Sequence, residues 1–505
     1  MIIIVDFGSQ TTHLIGRRLR DLDVDIKIIE PENALKEIKE SKPKGIIFSG
    51  GPASVYEKGA PTIDPKIFGL NIPILGICYG WQLISHLTGG KVVPSHKEYG
   101  PARLKISKLK KLFKNTKTDS TVWMSHGDSV VTTPKGFIPL AETANVKYAA
   151  VMHPKKKIYG IQFHPEVEHT TYGSEILKNF TREICELETG RREIDIEKLI
   201  EDVKKQVGEE KVICAVSGGV DSTVVASLIG KAIGKNLYPV YVESGLMRMG
   251  TKEEMTANFQ KHLGIKPVIV EAKNLFLKKL KGVSDPERKR KIIGKLYIEL
   301  FDKQTRKIKG IKFLAQGTIY SDVIESKGTK NAAKIKSHHN VGGLPKKMNL
   351  KLIEPLRNFY KDEVRLIGKK IGLPGHIVNK QVFPGPGQAI RIIGPITRKR
   401  LAMLQQADQI VLDEICKAGL YDKVYMSFPI LTNTKSTAVK GDGRSFMEVV
   451  ALRIIESKDI MTTVWARLPY DLLQKISTRI VNEVPGVSRV VYDITTKPPA
   501  TMEWE

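Results

Sequence analysis

At 505 residues, 41% of them hydrophobic, the chain is long enough for about three domains with cores of their own. No run of about 20 apolar residues occurs, so no membrane span is expected, and Cys78, Cys185, Cys214 and Cys416 form neither a CxxC pair nor a disulfide framework, which fits a reducing cytoplasm. The net charge of +27 admits a nucleic-acid partner, but the lysines are scattered or in short runs with little aromatic interleaving, so solvated surfaces or a field that gathers anionic nucleotides are preferred.

Met1 to Val5 leads straight into a strand, without the charged region and cleavage site of a secretory signal. Apolar runs at 2–5, 26–29, 45–49 and 72–77 alternate with helical stretches such as 11–22. That alternation predicts a parallel sheet with helices on both faces. The fourth run enters Gly76-Ile-Cys-Tyr-Gly80 and then an apolar helix. Glycines around a nucleophile at a strand-to-helix turn suit a strained elbow that lifts Cys78 out of the sheet, and the helix N-terminus beneath favours a thiolate. Downstream, the strand 158–163 ends in His164-Pro-Glu166. Residues two apart on an extended chain face the same way, and Pro165 biases His164 toward that backbone. His164 can then take the thiol proton while Glu166 orients the imidazole.

Together these strings resemble the class I glutamine amidotransferases, with a Cys-His-Glu triad, over about residues 1–187. The resemblance implies an oxyanion loop at Ser49-Gly50-Gly51-Pro52, aided by the Tyr79 N–H, and a glutamine pocket lined by Gln82, Ser125, His126 and Asp128. His126 is a rival base, ranked below His164. Trp81 stands where that family has a smaller residue, which puts the glutamine pocket in question.

A polar, glycine-containing linker spans 189–193. Beyond it, a helix (196–207) and a strand (211–216) run into Ser217, Gly218, Gly219, Val220 and Asp221, then into a helix beginning Ser222-Thr223. Two glycines leave backbone N–H groups uncovered, and the helix N-terminus points at the same spot, so the turn is an anion cradle. It lacks the Lys of a G-x-x-x-x-G-K-[ST] loop. The hexad resembles the pyrophosphate loop of N-type ATP pyrophosphatases, which adenylate an oxygen of a second substrate. Adenosine is expected at the carboxyl end of strand 237–242, although Glu243 replaces the Asp usual there.

The strings that follow, including 285–294, 315–326, 336–344 and 356–365, resemble the ATP pyrophosphatase domain of GMP synthetases. The match implies ATP on Ser217 to Thr223, Val242, Gly317 and Lys361, with Asp221 and Mg²⁺ at the pyrophosphate. His338 and His339 lack the further ligands of a zinc site; their glycine-rich stretch is read as a mobile loop that nucleotide binding orders.

Phe383-Pro-Gly-Pro-Gly387 makes a turn-rich junction. Strands are expected at 425–429, 448–455 and 488–494, and 440–444 reads as a turn. The tail, Lys497 to Glu505, carries two prolines and Trp504, which argues for docking over fraying. It resembles the tail by which GMP synthetases contact the xanthosine nucleotide. The resemblance implies XMP contacts at Lys497 and Glu503, with Arg290 and Asp442 further out, and a homodimer through this region. Gln381-Val382 departs from the family's basic residues, and 432–438 reads as polar and irregular.

The expected fold class is α/β throughout. An amidotransferase sheet domain (1–189) precedes an adenine-nucleotide α-hydrolase-like pyrophosphatase domain (190–382) and a small C-terminal dimerisation and XMP-binding domain (383–505). The expected substrates are glutamine, ATP and XMP. Two alternatives stand beside this reading, an NAD synthetase-like amidotransferase and a tRNA-modifying pyrophosphatase.

Overall fold

The computed structural model describes residues 1–9, 11–109, 111–190, 193–320, 322, 350–440, 443–457, 463–497 and 499–505. The loop expected at 336–344, Asp442, and 321 and 323–326 of the 315–326 string therefore lie outside the described residues. The described chain forms two compact units, one ending at Glu193 and the other beginning at Ile194.

In the first unit, the strands Ile26–Ile29, Ile2–Val5, Gly45–Phe48, Ile74–Ile77 and Ile158–Ile161 lie side by side in that order, all parallel. Antiparallel strands Ala150–His153, Ile138–Glu142, Lys91–Ile106 and Asp119–Thr132 extend the sheet. The parallel strands are apolar at nearly every position because both faces are covered. Ile2, Ile4 and Ile47 enter one core with Leu177 and Phe180, while Ile3, Val5 and Ile46 enter the other with Ile38 and Trp81. Each such fully buried side chain contributes about 1.5–3 kcal/mol.

In the second unit, Val268–Glu271, Leu237–Glu243, Lys211–Ala215, Ile311–Ala315 and Lys351–Ile353 form a five-stranded parallel sheet in that order. Lys211–Ala215 is central, and the chain winds first to one side of it and then to the other. The crevice at such a switch point, outside the carboxyl ends of the strands, is where ligands bind. The helix Val220–Ile233 starts there. Its residues Val224, Val225, Ala226, Leu228 and Ile229 are all buried, so it is apolar nearly all round rather than striped.

The C-terminal region pairs Met426–Lys440 with Gly443–Glu456 in a long antiparallel hairpin, and Val487–Tyr492 runs parallel to the latter. The stretch 432–438, expected to be irregular, is strand with a register shift between Leu431 and Lys435. One continuous core joins Val240, Phe276 and Ile293 to Leu404, Ile454 and Ile476, so the middle and C-terminal thirds share their packing.

Candidate active sites

In the first unit, strand Ile74–Ile77 hands over to helix Tyr79–Leu87 through Cys78, which adopts φ 50° and ψ −108°. A non-glycine residue there stores about 1–3 kcal/mol of strain. The surrounding contacts enforce it. The Cys78 N–H donates to the Ile161 carbonyl at 2.8 Å and the Gly80 N–H to the Ser49 carbonyl at 3.0 Å. A Cβ on Gly80 would lie 2.5 Å from the Phe48 carbonyl oxygen, so only glycine lets the elbow close on the neighbouring strand.

His164 and Glu166 arrive on the adjacent strand's extension. His164 Nδ1 lies 2.7 Å from Glu166 Oε1, and Thr11 Oγ1 donates to the same oxygen at 2.6 Å. With Nδ1–H committed to the carboxylate, Nε2 is left for the thiol of Cys78. Burial works against charging His164, yet Glu166 and Cys78 outweigh it and hold the imidazole well above its usual pKa. Gly50 leans on the same ring: its Cβ would stand 3.0 Å from His164 Cε1. A Cβ on Gly51 would meet the Phe7 carbonyl at 2.7 Å. The Gly50–Gly51 backbone and the first-turn amide of Tyr79 thus border the thiol.

The predicted glutamine-pocket residues form a brace. Gln82 Nε2 donates to the Asp128 carbonyl at 2.8 Å and approaches Gln162 Oε1 at 3.4 Å, while Gln162 Nε2 reaches Cys78 Sγ at 3.5 Å. Cys78 Sγ also lies 3.5 Å from the Ser125 carbonyl. His126 is held at both ring nitrogens, by the Asp128 carbonyl at 3.0 Å and by Glu98 at 3.2 Å. Burial holds its pKa down despite Glu98. Trp81 points to the opposite core from Cys78, against Gly160 and Phe137. Its bulk therefore fills the far face of the sheet and leaves the thiol side untouched.

In the second unit, Gly218 takes φ 78°, which suits glycine. The turn is laced by its own hydroxyls: the Ser217 N–H donates to Ser222 Oγ at 3.2 Å, the Gly219 N–H to Ser217 Oγ at 3.3 Å, and Thr223 Oγ1 to the Gly219 carbonyl at 2.8 Å. Lys361, at the start of helix Lys361–Lys370, holds both carboxylate oxygens of Asp221 at 2.7 and 2.6 Å. Gly317 sits against this helix start, where a Cβ would lie 3.1 Å from the Ser222 nitrogen. Val242 is near the carboxyl end of its strand and buried. Glu243, expected near the ribose, instead accepts from the Gly245 N–H at 2.8 Å.

A metal is implied here, and the donor set fits one delivered with a phosphate. No group of three or more His, Cys, Asp or Glu among the described residues is placed to hold an ion alone. Mg²⁺ needs only one or two carboxylates when phosphate oxygens complete its shell, and Asp221 at the loop supplies one.

The tail is docked. Glu503 lies on Arg391 at 2.9 and 2.8 Å. Arg391 is fully buried and stacks 3.8 Å above the Phe428 ring centroid. Lys289, also fully buried, pairs with Glu505 at 2.6 Å and with the Ile392 carbonyl at 2.6 Å. Arg290 contacts Glu287 at 2.7 Å and the Glu505 carbonyl. Buried Arg453 gathers Asp493 and the carbonyls of Thr495, Thr501 and Met502 within 3.1 Å. Lys497 pairs through its backbone with Thr463. Arg290, Lys497 and Glu503 thus all belong to or touch the docked tail.

Family models match three stretches: class-I glutamine amidotransferase over residues 3–184, NAD synthase over 194–292 and GMP synthase C terminal domain over 413–504. Full-length relatives decide between the alternatives. GMP synthase [glutamine-hydrolyzing] of Aquifex aeolicus is 53% identical, the alignment covering 100% of this chain and 99% of that one. Proteins of the same name from Carboxydothermus hydrogenoformans and Nitratiruptor sp. are 52% and 51% identical with the same coverage.

The chain belongs to the glutamine-hydrolysing GMP synthase family.

The sequence patterns did not single out Gln162, Thr11, Lys289, Arg391 or Arg453. Gln162 stood beside the His-Pro-Glu string, one strand period from His164, and strand alternation could have found it. The buried cations carried no local signal.

Proposed function

We propose that this chain aminates XMP to GMP, using ATP to activate the base and glutamine as the nitrogen source. It is a carbon–nitrogen ligase with two chemistries on one polypeptide. Cys78 attacks the glutamine amide carbon, and His164 passes its proton to the departing ammonia. The oxyanion rests on the amides of the Gly50–Gly51 loop and Tyr79, with Gln82, Ser125, His126 and Asp128 around the substrate. Water then releases glutamate from the thioester.

At the second site, O2 of XMP attacks the α-phosphorus of ATP and pyrophosphate leaves. A poor leaving oxygen becomes AMP, which ammonia displaces at C2. Ser217 to Thr223 hold the leaving group, Val242 and Gly317 border the nucleotide, and Lys361 moves between Asp221 and a phosphate. Mg²⁺ held by Asp221 would neutralise charge on the pyrophosphate. Lys497, Glu503, Arg290 and Asp442 are assigned to the XMP end. Residues 1–189, 190–382 and 383–505 divide these tasks. The third segment also joins two subunits, a reading supported by Val439 and Phe446, 73% and 66% exposed on the long hairpin. No helix among the described residues is long and apolar enough to cross a membrane, and all four cysteines are free; a cytoplasmic enzyme suits both.

The observation that carries this reading is the strained Cys78 elbow, beside a buried His164–Glu166 pair, on the same chain as a two-glycine loop bracketed by a lysine. GMP formation is measured with XMP, ATP and glutamine omitted in turn. Cys78→Ala is expected to abolish glutamine-dependent synthesis and to keep synthesis from added ammonium. Loss of both would break the two-site assignment.

A further inference from the structure

Lys361 is not the only ammonium on the loop. Lys380, distant in sequence, places Nζ 3.2 Å from the Gly218 carbonyl and 2.8 Å from Glu254. Its backbone is fixed on both sides. The Lys380 carbonyl accepts from Arg365 Nη2 at 2.9 Å. The next residue, Gln381, is buried and locked to the C-terminal region: Oε1 accepts from the Ser427 N–H and hydroxyl at 3.0 and 2.9 Å, and its N–H donates to the Tyr421 hydroxyl at 3.0 Å. A rigid base thus carries a flexible stem whose charged end rests on the loop.

We propose that Lys380 is a second pyrophosphate-positioning cation, resting on the Gly218 carbonyl of the loop whose Asp221 pairs with Lys361. This rests on the reading of Ser217 to Thr223 as the pyrophosphate site. The Lys380 side chain is 24% exposed and that of Glu254 39%, so an incoming anion reaches the ammonium. What holds Lys380 is a carbonyl and a half-exposed carboxylate, a pairing worth little in water. A pyrophosphate oxygen offers a stronger charge-assisted bond. Lysine suits the exchange, because its compact charge on a four-carbon stem swings between partners without the fixed plane of arginine. A purely structural tie is not needed, since the turn is already closed by Ser217, Ser222 and Thr223. Because Gln381 is anchored in the C-terminal sheet and helix end, the cation is delivered by the part of the chain that carries the XMP tail.

The experiment is calorimetric titration of the full-length protein with inorganic pyrophosphate and Mg²⁺, alongside thermal unfolding. Lys380→Met is expected to weaken pyrophosphate binding about tenfold while retaining the wild-type melting profile. Lys380→Arg keeps the charge and should stay within about threefold. Glu254→Gln frees the ammonium and should bind at least as tightly as wild type. Unchanged affinity in Lys380→Met would overturn the proposal, and so would parallel weakening in Glu254→Gln, which marks a structural tie. Should Lys380→Met fail to fold, the other two variants decide. If wild type itself binds no pyrophosphate, the loop assignment falls and takes Lys380 with it, an outcome distinct from loss in one variant.

Discussion

A thiol with 4% exposure is ordinarily a small inert core group. Cys78 differs through its backbone, held at positive φ by bonds on both sides, and through the ring beside it. The Gly-Ile-Cys-Tyr-Gly and His-Pro-Glu strings pointed to both; the strand itself ends at Ile161, and His164 meets Glu166 through the irregular turn beyond it. Glu166 is fully buried, shared between His164 and Thr11, and its charge opposes the desolvation that would neutralise the ring. A raised histidine pKa means the imidazolium stabilises the fold fully below the ordinary value of about 6.5 and ceases to do so as pH climbs through the raised one. In the proposed mechanism the imidazolium protonates departing ammonia, so the alkaline limb of the glutaminase pH profile is expected to report that upper value. Glu166→Gln should move this limb to lower pH and reduce the maximal rate about a hundredfold or more. A limb that stayed in place would remove Glu166 from control of the base.

Elements buried on both faces were the easiest to read. Runs such as Ile2–Val5 and Lys211–Ala215 are apolar because they are sandwiched, and the two-glycine turn between Lys211–Ala215 and Val220–Ile233 is dictated by its position. The strand Met426–Lys440 defeated the same logic. Beyond Leu431 most of its residues are exposed or half-buried, so no apolar alternation marks it and the pairing with Gly443–Glu456 supplies the order. Gly317 is a case where the reason for the residue appears only in three dimensions. Its missing Cβ lets strand Ile311–Ala315 deliver the chain onto the amides at Asp221 and Ser222, and the nearest atoms are backbone, which cannot swing away. Gly317→Ala should therefore cost about 1–3 kcal/mol of overpacking. It should raise the KM for ATP in steady-state assays while Cys78 alkylates at the wild-type rate. An unchanged ATP KM would show that the loop tolerates displacement at this point.

Across the whole second unit, the least legible feature was how the end of the chain is kept in place. Lys289 meets Glu505 over a sequence separation of 216 residues, and Arg391 meets Glu503 over 112. Composition and spacing carry no trace of such pairs, since a buried lysine looks like any other until its partner is seen. Burial pushes Lys289 down and Glu505 up, each opposed by the other's charge. These are therefore pairs in which neither member is content alone, and removing one leaves an uncompensated charge at a cost of about 3–5 kcal/mol. Arg453 binds mainly tail carbonyls rather than the final acids, so it should still hold residues 495–502 when the last residues are gone. Truncation before Glu503 would then strand Lys289 and Arg391 while leaving most of the tail attached. The expected result is a lowered melting temperature for the second unit and loss of XMP-dependent pyrophosphate release, with Cys78 alkylation unaltered. Restoring apolar balance separates the two roles. With Lys289→Met added, the Lys289–Glu505 site should lose its stranded charge and part of the stability should return, Arg391 remaining without Glu503, while activity stays lost if Glu503 touches the nucleotide. Recovery of both in the double variant would make the tail a structural plug and take Glu503 out of XMP binding.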